Sequence, residues 1–431
     1  MPAIRVIFIN RFFYPDHSAT SQMLTDLAFG LAERGVVVSV ITSRLRYDDA
    51  KARLPARETV RGVRVERIWT SRFGRAGLIL RTIDYLTFYF SAAWTLARIA
   101  RRGDIVVAMT DPPAFSILAS VVAWVRGANN INWLQDVFPE VAEVLQLAGR
   151  NSAPFFRPLL ILRDISLRRA SMNVAIGSLM AERVLQSGVE PGRIAIIPNW
   201  ADTTAIRPVP PSENRLRSDW GLSGKFVVSY SGNLGRAHGV ETLLEAIVTS
   251  GQTAGAPKIH WLFIGGGVGF RQLQHATDEL GLTNITFRPY QPREQLAESL
   301  SVANVHVVLL KPELEGLIVP SKFYGIAAAG RPIVFVGSAN GEIARLINQF
   351  ECGVALASGD GSGLSEAVAM LARDPKRCHQ LGERARAMCE ANFSKELAFT
   401  AWNDLLKSFS VPRPQSARTH LASSQRNNEA C

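Results

Sequence analysis

Lys322 follows Pro320-Ser321 and starts a run of small residues, "KFYGIAAAG", which leads through Arg331-Pro332 into an apolar strand. A lysine at the start of a helix sets its ammonium beside free backbone N–H groups, and both favour one anion, above all a phosphate. Two glycine-rich turns suit the same ligand. "YSGNLGRAHG" (230–239) carries Gly232, Asn233, Gly235 and Arg236 between a strand and a helix, and "FIGGGVG" (263–269) carries Gly265 and Gly267 in the same setting. Glycines there let backbone approach a ligand closely. The first turn reads equally as an ordinary strand-to-helix connection, and the second, with no Gly-Lys-Ser/Thr after it, is not a P-loop and alone is a weak signal. Asp136 ends a strand in "WLQDVFPE", just before Pro139-Glu140 open a helix. Its carboxylate can bind a sugar hydroxyl or take its proton, or it can cap the helix. Ser18, Ala19 and Thr20 lie in a long polar loop before a helix, as substrate contacts or as plain caps.

These residues need strand ends to hold them. Apolar strand-like runs recur at 4–10, 36–42, 63–69, 104–110, 130–136, 173–177 and 194–199, then at 226–232, 260–267, 285–290, 305–310, 332–337 and 353–357, with helical stretches between them. Such alternation predicts an α/β fold with parallel sheets covered on both faces. The chain of 431 residues is long for one domain. The Pro-rich stretch "RPVPPSENRLRSDWG" divides the strands into two series, which predicts two doubly wound domains. The expected boundaries are 1–200, a linker at 201–224, 225–392, a helix at 393–410 with no strand after it, and a polar, disordered tail at 411–431. Ligands in such sheets sit at the carboxyl ends of strands, so the loops singled out above should face one another across a cleft between the domains.

Composition narrows the setting. The four cysteines form no C-x-x-C pair, which argues against a zinc site or a disulfide framework and fits a reducing, cytoplasmic compartment. The start, "MPAIRVIFINRFFYP", reads as a first strand rather than a signal peptide. Residues 1–200 hold 25 Lys/Arg against 16 Asp/Glu, whereas 201–431 hold 23 against 21. The first half therefore carries most of the positive field, which attracts polyanions or an anionic membrane face. The basic residues are dispersed and no RNA or DNA motif is present, so nucleic acid is not the expected partner. The segment 78–102 is apolar, aromatic and rimmed by arginines, but only 13 residues separate Asp84 from Arg98. A span needs roughly 20, so this segment is read as a helix on protein or at a membrane interface, and 155–171 repeats its pattern.

The stretches "FYPDHSATSQMLTDLAFGLAERGVVVSVIT", "NWLQDVFPEVAEVL", "IPNWAD", "SGNLGRAHGVETLLEA" and "VPSKFYGIAAAGRPIV" resemble glycosyltransferase family 4, the retaining nucleotide-sugar enzymes of GT-B fold. The narrower likeness is to the branch that builds bacterial surface polysaccharides with fucosyl or N-acetylfucosaminyl groups. The likeness spreads over roughly residues 1–410 in family order and implies two Rossmann-like domains facing a cleft, with a C-terminal helix crossing back to the first. It implies that Gly232, Asn233, Gly235, Arg236 and Lys322 meet the donor diphosphate, with Pro320 and Ser321 beside it. Gly265 and Gly267 should line the nucleotide pocket, and Arg288–Gln291, with Tyr290, should pass the base. Ser18, Ala19, Thr20 and Asp136 should face the acceptor.

The sequence departs from the family at several places. Asn233 and His238 stand where many members have Arg and Lys, and Leu317 and Gly325 stand where many have two glutamates. The ribose contact is therefore unassigned, with Glu313 or Glu315 as substitutes. The implied reaction moves a sugar from a UDP- or GDP-linked donor to a lipid-linked or other saccharide acceptor, at the cytoplasmic face of the membrane. Neither a metal nor another cofactor is expected, since no Asp-x-Asp lies near a predicted strand end. A sugar-nucleotide epimerase of similar build and a non-catalytic binder of anionic membrane or nucleic acid are the alternatives.

Overall fold

The structure is a computed structural model describing residues 4–47, 49, 51–73, 78–146, 153–252 and 257–409. The tail expected at 411–431 lies outside these residues. Eight strands form the first sheet: β1 (Arg5–Ile9), β2 (Val37–Ser43), β3 (Arg57–Val60), β4 (Val63–Ile68), β5 (Ile105–Met109), β6 (Asn129–Leu134), β7 (Met172–Ala175) and β8 (Ile194–Ile196). Their order is β3-β4-β2-β1-β5-β6-β7-β8. The second sheet has β9 (Phe226–Asn233), β10 (Ile259–Gly266), β11 (Ile285–Arg288), β12 (Val305–Leu309), β13 (Ile333–Gly337) and β14 (Gly353–Ala357), ordered β11-β10-β9-β12-β13-β14. Central strands such as β5, β12 and β13 are buried along their whole length, which is why they read as continuous apolar runs rather than alternating ones.

The strand runs anticipated from hydrophobicity all form strands, and β3 is the addition. It pairs antiparallel with β4 through a turn at Arg61 and Gly62, both with positive φ. Its sequence, "RETV", is polar, sits at the sheet edge and alternates exposed with half-buried positions, so it carries no apolar signal. Its turn is Arg-Gly rather than the Asn-Gly or Asp-Gly that advertises a hairpin.

Helices of the first domain are α1 (Ala19–Glu33), α2 (Leu78–Ile99), α3 (Phe115–Arg126), α4 (Glu140–Val144), α5 (Ala153–Arg169) and α6 (Ser178–Gln186). The stretch expected as a linker contains α7 (Arg215–Asp219) and packs on the second domain: Ile206 and Leu222 are buried, and the Arg217 guanidinium donates to the Val302 carbonyl at 2.6 Å. The second domain then has α8 (Val240–Gln252), α9 (Val268–Glu279), α10 (Leu296–Ser301), α11 (Lys322–Ala328), α12 (Glu342–Phe350), α13 (Gly361–Arg373) and α14 (Pro375–Asn392).

The last helix, α15 (Lys395–Ser408), returns to the first domain. Its apolar face, Ala398, Phe399, Trp402 and Leu406, joins the core cluster of Phe8, Trp133 and Trp200. The fully buried Trp402 ring lies 4.8 Å from Trp133, edge to face. Gly30 of α1 permits this approach, because a Cβ there would stand 2.0 Å from the Phe399 ring. Lys395 adds an ion pair to Asp202 at 3.0 Å. Trp402→Ala is expected to lower unfolding free energy by about 3–5 kcal/mol, the range for truncating a buried aromatic. Denaturant titration reads this directly, and a loss below about 1 kcal/mol would mean that α15 is loosely docked.

The domains also meet directly. One apolar cluster runs through both, joining Val137 and Ala181 of the first to Leu314, Leu317 and Phe323 of the second. Glu342, at the start of α12, accepts from Ser178 N–H at 3.0 Å, Ser178 Oγ at 2.8 Å and Leu179 N–H at 3.0 Å, so a carboxylate of one domain caps α6 of the other. Asp26 of α1 pairs with Arg293 at 2.7 Å.

Candidate active site

Strand order locates the cleft. In the first sheet the order turns about β1, between β2 and β5, and in the second about β9, between β10 and β12. Connections leave in opposite directions at these points, so the carboxyl ends of β1/β5 and of β9/β12 open into crevices.

On the second-domain side, β9 and β10 run in register to their ends, pairing Gly265 with Gly232 and Gly266 with Asn233. Gly265 has φ +135°, and a Cβ on it would stand 2.2 Å from the Gly232 carbonyl oxygen, so no side chain fits. The two glycine turns are thus one surface. Asn233 is exposed, and its side chain lies between Gly235 and Gly267. Arg236 is exposed at the rim.

Lys322 reaches this surface from α11. Its Nζ lies 3.8 Å from the centroid of the Tyr230 ring and donates to the Tyr230 hydroxyl, which in turn donates to the Asn233 carbonyl at 2.9 Å. A Cβ on Gly232 would stand 3.6 Å from Lys322 Cε. The lysine is therefore turned inward to the glycine surface, and burial pulls its pKa down to about 7. Phe323 N–H, next in the chain, is already engaged by the Pro320 carbonyl at 3.2 Å. Pro320 is buried, and Ser321 is exposed with no side-chain cap bond.

Two further groups complete this wall. His238 Nδ1 accepts from Gly235 N–H at 3.1 Å, and its pKa falls to about 3, chiefly through burial and then through the nearby charge of Lys322. It is a neutral imidazole bracing the loop, where many family members place a lysine. Lys311, just past β12, joins Gly235, Arg236 and His238 in lining a cavity of about 400 Å³, closed on the other side by Val144, Leu145 and Gln146 of the first domain. Tyr290 borders the glycines, with its ring 3.4 Å from where a Cβ of Gly266 would stand. Arg288 instead packs over Trp220, 5.6 Å to the ring centroid. A larger hollow of about 610 Å³ lies beside Gly353 and Arg384. Gly353 begins β14, so that hollow opens at the amino ends of the strands, opposite the cleft.

The first-domain wall centres on Asp136. It bridges antiparallel to Ile318, and Val137 N–H donates to the Leu317 carbonyl at 2.9 Å. This places the Asp136 backbone against the loop that leads into α11, at Ile318, four residues before Lys322. Burial lifts the Asp136 pKa to about 6, opposed by a hydrogen bond from Thr110, and its Oδ1 has no partner among the described residues. Asp111, at the end of β5, is also lifted to about 6 by burial, with Arg11 and Arg81 pulling it down and Asp16 pushing it up. Along this wall Asp16 acts on Asp111, and Asp111 on Asp136. Ser18 stands at the N-cap position of α1 but makes no cap bond, and its Oγ is buried without a partner among the described residues. Its backbone N–H donates to Asp16 Oδ1 at 2.8 Å. Ala19 begins the helix and is exposed, while Thr20 Oγ1 accepts a long 3.5 Å hydrogen bond from Asn10 Nδ2.

Glu315, considered for the ribose, instead accepts the Glu342 backbone N–H at 3.2 Å and packs beneath Gly341, and burial lifts its pKa to about 7. Glu313 is exposed. Sequence reading passed over Lys311 and Asp111. Each is a lone charge just after an apolar strand, in "LLKPE" and "MTDPP", and the strand ends themselves were the available signal.

Residues 19–200 match the family model described as "Glycosyl transferase 4-like domain", and residues 212–388 match "Glycosyl transferases group 1". The chain is 26% identical over 314 residues to the probable glycosyltransferase WbjE of Pseudomonas aeruginosa, covering 73% of this chain and 76% of that protein. It is 27% identical over 233 residues to the putative colanic acid biosynthesis glycosyl transferase WcaI of Escherichia coli (strain K12), covering 53% of this chain and 56% of that one. Among solved structures, sucrose-phosphate synthase from Thermosynechococcus elongatus superposes with a TM-score of 0.73 at 19% identity, over 94% of this chain and 99% of that one. Anabaena Alr3699/HepE in complex with UDP-glucose gives 0.70 at 14% identity, over 94% and 100%. At these identities the two structures establish the fold alone. With a glycosyl transferase 4-like domain carrying the acidic wall and a group 1 domain carrying the glycine surface and Lys322, the chain belongs to the glycosyltransferases of GT-B fold.

Proposed function

We propose that this protein is a retaining glycosyltransferase that moves a sugar from a UDP- or GDP-linked donor to a lipid-linked saccharide during assembly of a bacterial surface polysaccharide. The observation that carries this is the convergence at the β9/β12 crevice of one glycine surface, the inward Lys322, and Lys311 in the adjoining cavity, with the Asp136 backbone bridged to Ile318 on the loop before Lys322. A nucleoside diphosphate leaving group fits the cations and glycines. The names WcaI and HepE, the second solved with UDP-glucose, support the pathway and the donor class.

In the proposed reaction, the bond from sugar C1 to the β-phosphate oxygen breaks while C1 bonds to the acceptor oxygen on the same face. Lys322 meets the charge growing on the diphosphate, and Asp136 takes the hydroxyl proton. Lys311 and Arg236 supply further positive charge, so the transfer is proposed to run without metal. Contacts between the lobes, Asp26 to Arg293 among them, would hold the cleft shut against water.

A panel of UDP- and GDP-sugars, followed by thermal unfolding, tests the donor. The matching donor at a hundredfold excess over its Kd should add about 2.7 kcal/mol to stability. No shift with any nucleotide sugar or nucleoside diphosphate would end this reading, and epimerised donor without acceptor would replace it.

A further inference from the structure

We propose that helices α2, α3 and α5 form a single membrane-docking face for anionic lipid. This deepens the reading of a lipid-linked acceptor, on which it rests for the source of the lipid, while its physical argument is independent of the donor site. In each helix, one side enters the core and the other stays apolar. In α2, Phe88, Ala92 and Leu96 are buried, whereas Phe90 is 74% and Trp94 68% exposed. In α3, Phe115, Ala119 and Ala123 are buried, whereas Trp124 is 81% and Val125 68% exposed. In α5, Leu167 is buried and Ile161 exposed. α3 packs between the other two, so these side chains line neighbouring ridges of one surface. Scattered exposed apolar groups are ordinary, but a contiguous apolar face on three adjacent helices marks an interaction surface.

The charge around it has one sign. Arg98 lies in the last turn of α2, Arg101 and Arg102 follow its end, Arg126 ends α3, and Arg168 and Arg169 end α5, all exposed. The acids on these helices are Asp84, which is buried, and Asp164, which pairs with Arg163 at 2.8 Å. No exposed carboxylate on the three helices offsets the arginines. Tryptophan rings settle at the headgroup level of a bilayer, and guanidinium groups grip lipid phosphate. Among the described residues no helix is long and apolar enough to cross a membrane, so the face lies on the bilayer rather than in it. A second copy of the chain fits poorly, since a two-fold contact would set the same arginines against one another.

The test is flotation of the full chain with vesicles of phosphatidylcholine alone or with roughly a third phosphatidylglycerol. Binding is expected only with the anionic lipid, weaker at high salt, with a blue shift of tryptophan emission. Trp94→Ser and Trp124→Ser together should reduce the bound fraction by about tenfold or more, with the unfolding temperature and nucleoside diphosphate binding unchanged. Absence of binding to the anionic vesicles, equal binding by the double variant, or concentration-dependent dimerisation abolished by it would each overturn the proposal. Nucleoside diphosphate stabilisation, measured without vesicles, reports on the donor reading separately.

Discussion

Replacing Lys322 with alanine should lower turnover by about 10²–10³-fold, the cost of removing one pre-aimed donor from a developing oxyanion. The donor diphosphate should also bind more weakly, because among the described residues Lys322 is the cation that a Cβ on Gly232 would meet. The fold should persist. With its pKa drawn down to about 7, the folded protein releases a proton that the unfolded chain keeps until about 10.5, the ordinary value for lysine. Between those values the native state binds fewer protons, so this lysine's contribution to stability grows as pH rises and its charged form is a burden below. A bound diphosphate reverses that balance by restoring the charge. Binding at pH 8 should therefore take up a proton, seen by calorimetry in buffers of different ionisation enthalpy, and affinity should fall as pH rises above about 7. In the alanine variant that proton uptake should vanish. Undiminished affinity for nucleoside diphosphate would remove Lys322 from the site.

The second-domain wall was legible because its signals are local. Gly232, Gly265 and Lys322 each announce themselves within ten residues, through a strand run, a glycine turn and a helix start. What the sequence hid was their union. Gly265 lies against Gly232 only because β9 and β10 share a register to their last residues, and such register depends on pairing between distant segments. Lys311 and Asp111 were hidden for a related reason. A charge after an apolar strand is common, and only strand order shows that β12 and β5 end at the crevices. The same holds for the latch between domains. Glu342 reads as an ordinary acidic residue in the first turn of α12, yet its carboxylate caps α6 of the other domain, 164 residues away. The returning helix was legible from its amphipathic pattern, whereas the close seat of Phe399 on Gly30 was not.

Asp136→Asn should leave nucleoside diphosphate affinity near that of the parent and lower kcat by about 10²–10⁴-fold, the range for a positioned proton acceptor. The asparagine is close in shape and keeps the backbone bridge to Ile318 and the seat of Val137 on Leu317. It cannot accept the acceptor's proton. The pH profile separates this role from a structural one. Burial raises the Asp136 pKa to about 6, so the parent should lose activity as pH falls through that value, when the carboxylate protonates. The variant, already uncharged, should lack that limb. Asp111 complicates the limb, because its own pKa is lifted to about 6 and the two carboxylates repel. Removing the Asp136 charge relieves Asp111, whose remaining titration should shift to lower pH. Asp136→Asn with parental kcat, or with an unaltered acid limb, would leave the hydroxyl proton to the departing diphosphate and reduce Asp136 to a brace between the domains.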